Sequence, residues 1–415
     1  MWKYQKFDTR NLKTVTGDTV TVHSPGMHNT NSGPDFFNGQ LKIGDQIWAG
    51  NIEIHLKASD WYNHRHQLDS AYDNVILHVV WKCDKLVKRN DNSDIPTIEL
   101  KHWIPATTLT AYKRLFERTE TWIPCEADFH RIDEFTYKNW LDKLFIERME
   151  RKTDTFSGRL TRLKNDWEAL LFQLLCEYFG TKVNARSFGS IAGSVDFSLI
   201  RKCSNQPGQL EALLFGQAGL LNQQGGDPYY EKLRDEYLFL KKKFSLKNDV
   251  VIPPKFFRLR PLNFPTIRLS QLSVLYSERE RLFSDLVEAR SKETYYQLLK
   301  HKASGYWKDH YSFGKQSKSG TKLMSDAFID LLLINVVLPL KFFYMRTHGQ
   351  FNDTEFIDLA QSLAAEKNSI IRKFDALRPQ ATNVLESQAL LQLKSEYCEK
   401  KQCLRCAIGN WLLKN

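Results

Sequence analysis

The hydrophobic pattern of this chain changes period once, near Pro105, and that change constrains the fold more than any other feature. Before it, apolar and polar residues alternate, the period of a strand with one buried face. Over residues 51–57, Ile52, Ile54 and Leu56 share one face, and Glu53, His55 and Lys57 share the other. Residues 11–15 and 19–23 flank Gly17-Asp18, and residues 40–43 and 46–49 flank Gly44-Asp45, two hairpin signals. Residues 75–81 are apolar on both faces except for His78, as expected of a central strand covered on both sides. Residues 60–72 read as a short helix or loop, and 97–100 as an outer strand. After Pro105 the period becomes helical. Trp140, Leu141, Leu144, Phe145 and Met149 line one face of 135–149, and the pattern returns over 167–179, 210–221, 229–244, 321–338, 356–364 and 382–397. The expected fold is α+β: a mixed β-sheet domain over 1–105, then a larger, mainly α-helical region. A stretch rich in Pro and basic residues, 245–265, divides that region into 106–250 and 251–415.

The chain has 415 residues, of which 42% are hydrophobic and 13% aromatic, enough for large cores. This excludes a disordered chain, a collagen, a coiled coil and a small disulfide scaffold. The net charge of +11 points to a polyanionic partner, nucleic acid first. No apolar targeting segment opens the sequence. The most apolar stretch, 327–344, is interrupted by Asp330, Asn335, Pro339 and Lys341 and falls short of the ~20 apolar residues of a membrane span. It reads as a buried helix ending near Pro339. The expectation is a cytoplasmic protein with no membrane segment.

The chemistry candidates lie in the first 105 residues. Asp35 follows Gly33-Pro34 just before a strand, and Glu53, His55 and Lys57 lie on the next one. A three-residue turn around Gly44-Asp45 sets Asp35 opposite Glu53 or His55 on one sheet face. A two-residue turn sets it on the opposite face unless a bulge intervenes. Two carboxylates on one face repel and raise each other's pKa unless a cation neutralises them. Mg²⁺ or Mn²⁺ suits such a pair, with a neighbouring Lys57 or His55 activating water. A second group follows at once: His64, His66 and Asp69, a spacing that also suits zinc. His78 reads as a hydrogen-bonded core histidine.

Seven cysteines are present, and Cys398, Cys403 and Cys406 cluster with the spacing C-x4-C-x2-C. Three thiolates need a fourth ligand to close a zinc site or a cluster. Cys125, in the turn-like Trp-Ile-Pro-Cys, is the first candidate for it, ahead of Cys203 or a histidine. Cys83 and Cys176 read as structural. Along 255–268, basic and aromatic residues interleave, and Arg260 and Arg268 are the candidates for phosphate contact.

Two resemblances follow from these residues. Pro34-Asp35 with Glu53-Ile54-His55 resembles the PD-(D/E)XK nuclease superfamily, in which an Asp opens one strand and an acid, a spacer and a Lys lie on its neighbour. Here His55 stands where the Lys is expected, and Lys57 has the same facing. The resemblance implies a restriction-endonuclease-like core and Mg²⁺-dependent phosphodiester hydrolysis, with Asp35 and Glu53 on the metal. Some DNA-processing nucleases of that superfamily carry an iron–sulfur cluster on one distant and three C-terminal cysteines, and the cysteines here are similar. Gly33-Pro34-Asp35-Phe36, Glu53-Ile54-His55, Ser59-Asp60-Trp61, residues 74–80, Arg260-Pro261-Leu262-Asn263-Phe264-Pro265 and the terminal cysteines together resemble a bacterial family of unknown function spanning nearly the whole chain. The expected activity is metal-dependent hydrolysis of nucleic acid. The alternatives are a non-catalytic nucleic-acid-binding protein with a structural cysteine-bound metal, and a zinc hydrolase acting on a small molecule through His55, His64, His66 and Asp69.

Overall fold

A computed structural model describes residues 1–117, 121–206, 208–378 and 381–414. The chain forms two compact units. The first comprises 1–137 together with 396–415, and the second 138–395. The Pro-rich stretch 245–265 lies inside the second unit, and the C-terminal cysteines belong to the first.

The first unit is built on a six-stranded mixed sheet. Its strands are β1 (Val20–Ser24), β2 (Met27–His28), β3 (Phe36–Ile43), β4 (Gln46–Lys57), β5 (Val75–Lys82) and β6 (Thr97–Glu99). The order is β1-β3-β4-β5-β6, with β2 also pairing β3. The Gly44-Asp45 signal is a hairpin: Ile43 pairs with Gln46 across a two-residue turn, and Gly44 takes φ +57°. The Gly17-Asp18 signal yields only a bridge between Lys13 and Thr19. β4 then runs through a short helix, α1 (Asp60–Asn63), and two further helical turns into β5, which lies parallel to it. β6 is parallel to β5 and forms the edge.

Both faces of this sheet are covered, as the unbroken burial from Val75 to Val80 requires. On one face Leu41, Ile52, Leu77, Val79 and Ile98 pack with Trp2, Phe7, Leu12, Leu100 and Ile104. Each such side chain contributes roughly 1.5–3 kcal/mol of burial. On the other face Trp61, Tyr72, Val80, Val87 and Ile95 form a smaller cluster under the β4–β5 connection. Glu53 and His55 alternate out of the first cluster, so they point toward this connection.

The second unit is helical, apart from one small hairpin at His310–Ser312 and Lys315–Gln316. Trp167–Phe179 is buried almost all round and packs on Thr181–Gly193. Its carboxylate side chain at Glu168 accepts the Phe283 N–H through both oxygens, at 3.1 and 3.0 Å. Glu211, 4% exposed, is held by Trp307 Nε1 at 2.6 Å and Tyr229 Oη at 2.9 Å. The apolar stretch predicted to end near Pro339 instead runs as one helix from Asp326 to Thr347. The reason is a π turn over Leu333–Val337, which changes the hydrogen-bond spacing just before the proline, where an N–H is missing. By length and composition this helix is apolar enough to cross a membrane, and 67% of its most apolar window is buried.

Candidate metal centre

The position of Asp35 is decided by one extra residue. From Ile43↔Gln46 to Gly39↔Gly50 the β3–β4 register is regular, but Phe36 pairs with Ile52, so β3 carries a bulge between Phe36 and Gly39. Asn38, inside the bulge, adopts φ +55°. The two-residue turn alone would send Asp35 to the far face, and the bulge returns it to the face of Glu53. The two acids are then tied reciprocally. The Asp35 N–H donates to Glu53 Oε2 at 3.0 Å, and the Ile54 N–H donates to Asp35 Oδ2 at 3.1 Å.

Three histidines join them. His55 follows Glu53 by two residues on β4, while His64 and His66 come from the connection after α1. Arg65 between them takes φ +59°, which turns both neighbours toward the strand. The ring nitrogens His55 Nε2 and His64 Nδ1 are 3.1 Å apart. Glu53 Oε1 lies 3.5 Å from His55 Nε2 and 3.5 Å from His66 Nε2. Among the described residues, His55, His64 and His66 are the group of three donor residues whose ligand atoms all lie within 4.8 Å of one another. These separations match the edge of a donor shell: bonds of 2.0–2.1 Å in tetrahedral geometry put neighbouring donors ~3.3 Å apart.

Behind the group stands His78 on β5, 0% exposed, with Nε2 2.8 Å from His55 Nδ1. The sequence reading of a hydrogen-bonded core histidine holds, and the hydrogen bond runs to the site. Tyr72, which sequence reasoning passed over, stacks on His66 with ring centroids 3.8 Å apart. Trp61 packs its ring against both His66 and His78. Aromatic residues at 61 and 72 in an otherwise polar segment were the available signal for this wall.

Without a cation the site is electrostatically frustrated. Burial, then the neighbouring Asp35, pushes the Glu53 carboxyl up to about 8. Burial also raises Asp35. His55 is driven down to about 4, by burial and then by His66 and His64, and His78 to about 3, by burial and then by His55. Neutral imidazoles beside a buried acid are the state from which a metal is bound. His66 Nε2 is buried and makes no hydrogen bond, an acceptor or donor left for a ligand.

The other predicted residues fall elsewhere. Lys57 is exposed; it adds the smallest share to the lowering of the Asp84 carboxyl, which the Ser59 N–H and hydroxyl dominate. The Asp69 carboxylate caps the turn Ser70–Tyr72 by accepting the Ala71 N–H at 2.9 Å. Arg260 is exposed, whereas Arg268 is 5% exposed. Arg268 donates to Gln271 Oε1 at 2.9 Å and Asn263 Oδ1 at 2.6 Å, and its guanidinium lies 3.5 Å from the Phe328 ring centroid. Both arginines line a cavity of about 460 Å³ in the second unit. Cys125, Cys398, Cys403 and Cys406 are all buried in the first unit.

Comparison with known families gives a match over residues 1–369 to the protein of unknown function DUF2851. The chain belongs to the DUF2851 family. The match contains the whole acid and histidine group and ends before Cys398. No curated protein and no solved structure matches the chain.

Proposed function

We propose that this DUF2851 protein is a metal-dependent hydrolase of phosphodiester bonds in nucleic acid. The observation that carries the reading is the convergence of Glu53, His55, His64 and His66 at coordination spacing beside Asp35. Imidazole and carboxylate donors together favour Mn²⁺ or Zn²⁺ over Mg²⁺, which prefers an all-oxygen shell. His55, His64, His66 and Glu53 would hold the ion. Asp35, less buried and hydrogen-bonded through one oxygen, is left to orient a water.

His78 fixes the tautomer. With His55 Nε2 turned to the ion, Nδ1 carries the proton and donates it to His78 Nε2, which holds the ring and raises its basicity. A divalent ion held by His55, His64, His66 and Glu53 would supply Lewis acidity, activating water and offsetting phosphoryl charge. Asp35 would hold a water in line with phosphorus; as that water adds and gives its proton to solvent, the bond to the leaving sugar oxygen would break and that oxygen would take a proton from solvent. The net charge of +11 supports a polyanionic substrate.

The test uses full-length protein stripped of metal and reloaded singly with Mn²⁺, Zn²⁺ or Mg²⁺. Substrates are single- and double-stranded DNA, RNA and a small phosphodiester ester. Cleavage restored by Mn²⁺ or Zn²⁺ and reduced at least ~100-fold in Glu53→Ala and His55→Ala supports the reading. Nucleic-acid binding with no cleavage under any metal would sink it in favour of a binding protein. The three-histidine group also favours zinc-dependent hydrolysis of a small molecule. Cleavage of the small ester alone, with no polymer cut, would select that second reading.

A further inference from the structure

The last segment of the first unit buries its residues in an order that hydrophobicity does not explain. From Cys398 to Cys406 the buried residues are the three cysteines, at 9%, 6% and 5% exposure. Glu399, Lys400, Lys401 and Arg405 are exposed, and Leu404 is only half-buried. A turn folded by apolar burial alone would bring Leu404 inside. This one turns its sulfurs inward instead.

Two backbone turns set the three terminal cysteines at neighbouring positions. The Gln402 N–H donates to Tyr397 O at 2.7 Å and the Lys401 N–H to Cys398 O at 3.1 Å, closing a loop with Cys398 and Cys403 at its two ends. Lys401 takes φ +50° to make that reversal. The Cys406 N–H is shared between Gln402 O and Cys403 O, each at 3.2 Å, so Cys403 and Cys406 sit on one tight turn. Gly409 lets the following helix, Ala407–Lys414, lie directly on this turn, because a Cβ there would come within 2.2 Å of Cys403 O.

The fourth sulfur arrives from far away in sequence. Cys125 is 8% exposed and sits in a turn closed by the Glu126 N–H on Ile123 O at 3.1 Å. Burial first, then Cys406 and Cys403, raises its thiol. Among the described residues, Cys125 and Cys403 form no disulfide. Cys176 and Cys203, by contrast, lie within helices of the second unit among apolar neighbours, as structural cysteines do.

We propose that Cys125, Cys398, Cys403 and Cys406 form a four-thiolate centre for a thiophilic metal, a zinc ion or an iron–sulfur cluster, which fastens residues 396–415 to the first unit. The centre is separate in its ligands from the histidine site and does not depend on that site being catalytic. Each thiol gives its proton to solvent and its sulfur lone pair to the metal, with no change in oxidation state of the protein. Burial, then the neighbouring Cys406, pushes the Cys403 thiol up to about 12, so a metal would supply the charge that ionises it.

The test is made on full-length protein purified without oxygen. Metal and acid-labile sulfide are quantified, and visible spectra are recorded as isolated and after exchange with Co²⁺. About one zinc per chain, with thiolate-to-cobalt charge-transfer absorption after exchange, identifies zinc. Iron with matching sulfide and a broad visible band identifies a cluster. Either signal is expected to vanish in Cys125→Ser and Cys403→Ser and to persist in Cys203→Ser. It is also expected to persist in His55→Ala, which separates failure here from failure of the hydrolase reading. In case a serine variant does not fold, native wild-type protein is alkylated with and without a chelator. The four cysteines are expected to be modified only after chelation. Wild-type protein that acquires no thiolate-bound metal from zinc, cobalt, or iron with sulfide, and whose four cysteines alkylate equally in both conditions, overturns the proposal.

Discussion

His78 belongs to the core and is also a hydrogen-bond partner of the candidate site. It is fully buried, yet its Nε2 meets His55 Nδ1 at 2.8 Å. We expect His78→Leu to fold, since Trp61 still packs against that position, and to bind Mn²⁺ or Zn²⁺ about 10–100-fold more weakly by titration. Unchanged affinity would show that His55 needs no support from behind. Glu168 makes a different point in the second unit. Burial first, offset in part by the Phe283 N–H and Arg201, and reinforced by Asp166 and Asp285, holds its carboxyl up to about 7. A folded-state pKa above the unfolded value means that the folded chain binds more protons in between. Stability therefore falls as pH rises from the ordinary carboxyl range to about 7. Glu168→Gln keeps an acceptor for Phe283 and removes that loss. Urea midpoints should show the variant gaining on wild type between about pH 5 and pH 8. A gap that does not change with pH would contradict a neutral Glu168.

The β3 bulge carries the element scale. The Gly44-Asp45 hairpin, the alternation of 51–57 and the covered strand at 75–80 were legible because each rests on a local pattern. The face of Asp35 was not, because it depends on counting residues between two distant pairs. The only local trace of the bulge is Asn38-Gly39, an Asn able to take positive φ beside a Gly. Asn38→Val should press β3 toward regular pairing, because a β-branched residue resists positive φ; with every residue kept, that hands the core place of Phe36 to Phe37 and turns Asp35 away. Circular dichroism should then report a retained sheet, while metal-dependent activity falls at least ~100-fold. Activity at wild-type level would remove Asp35 from the site. Gly50 guards the same region, since a Cβ there would come 2.5 Å from Ile76 Cγ2 and 2.7 Å from Asn74 O. Gly50→Ala should cost about 1–3 kcal/mol in denaturant unfolding, as overpacking does. The helix through Pro339 was misread for a related reason. A proline marks a missing donor, and only the π turn before it shows how the helix runs on.

At the scale of the molecule, the histidine site ties segments that are otherwise held by a short connection, so a bound ion should stabilise the first unit by mass action. At metal concentrations ~100 times the dissociation constant the gain is about 2.7 kcal/mol, and a His55→Ala/His66→Ala double variant should show none of it in thermal unfolding. An equal gain in both proteins would place the ion elsewhere. The sequence reading found the composition of both units but not their ownership of the chain, because no local pattern tells that 396–415 returns to the first unit after the helical one. That return has a temporal meaning. During synthesis the strands and histidines emerge early, but the unit that holds them waits for residues 396–415, which the ribosome releases only after the entire second unit. A chain cut short anywhere in the second unit would carry the acids and histidines without their closing segment. Partial products would thus be marked by an unfinished first unit, open to proteases.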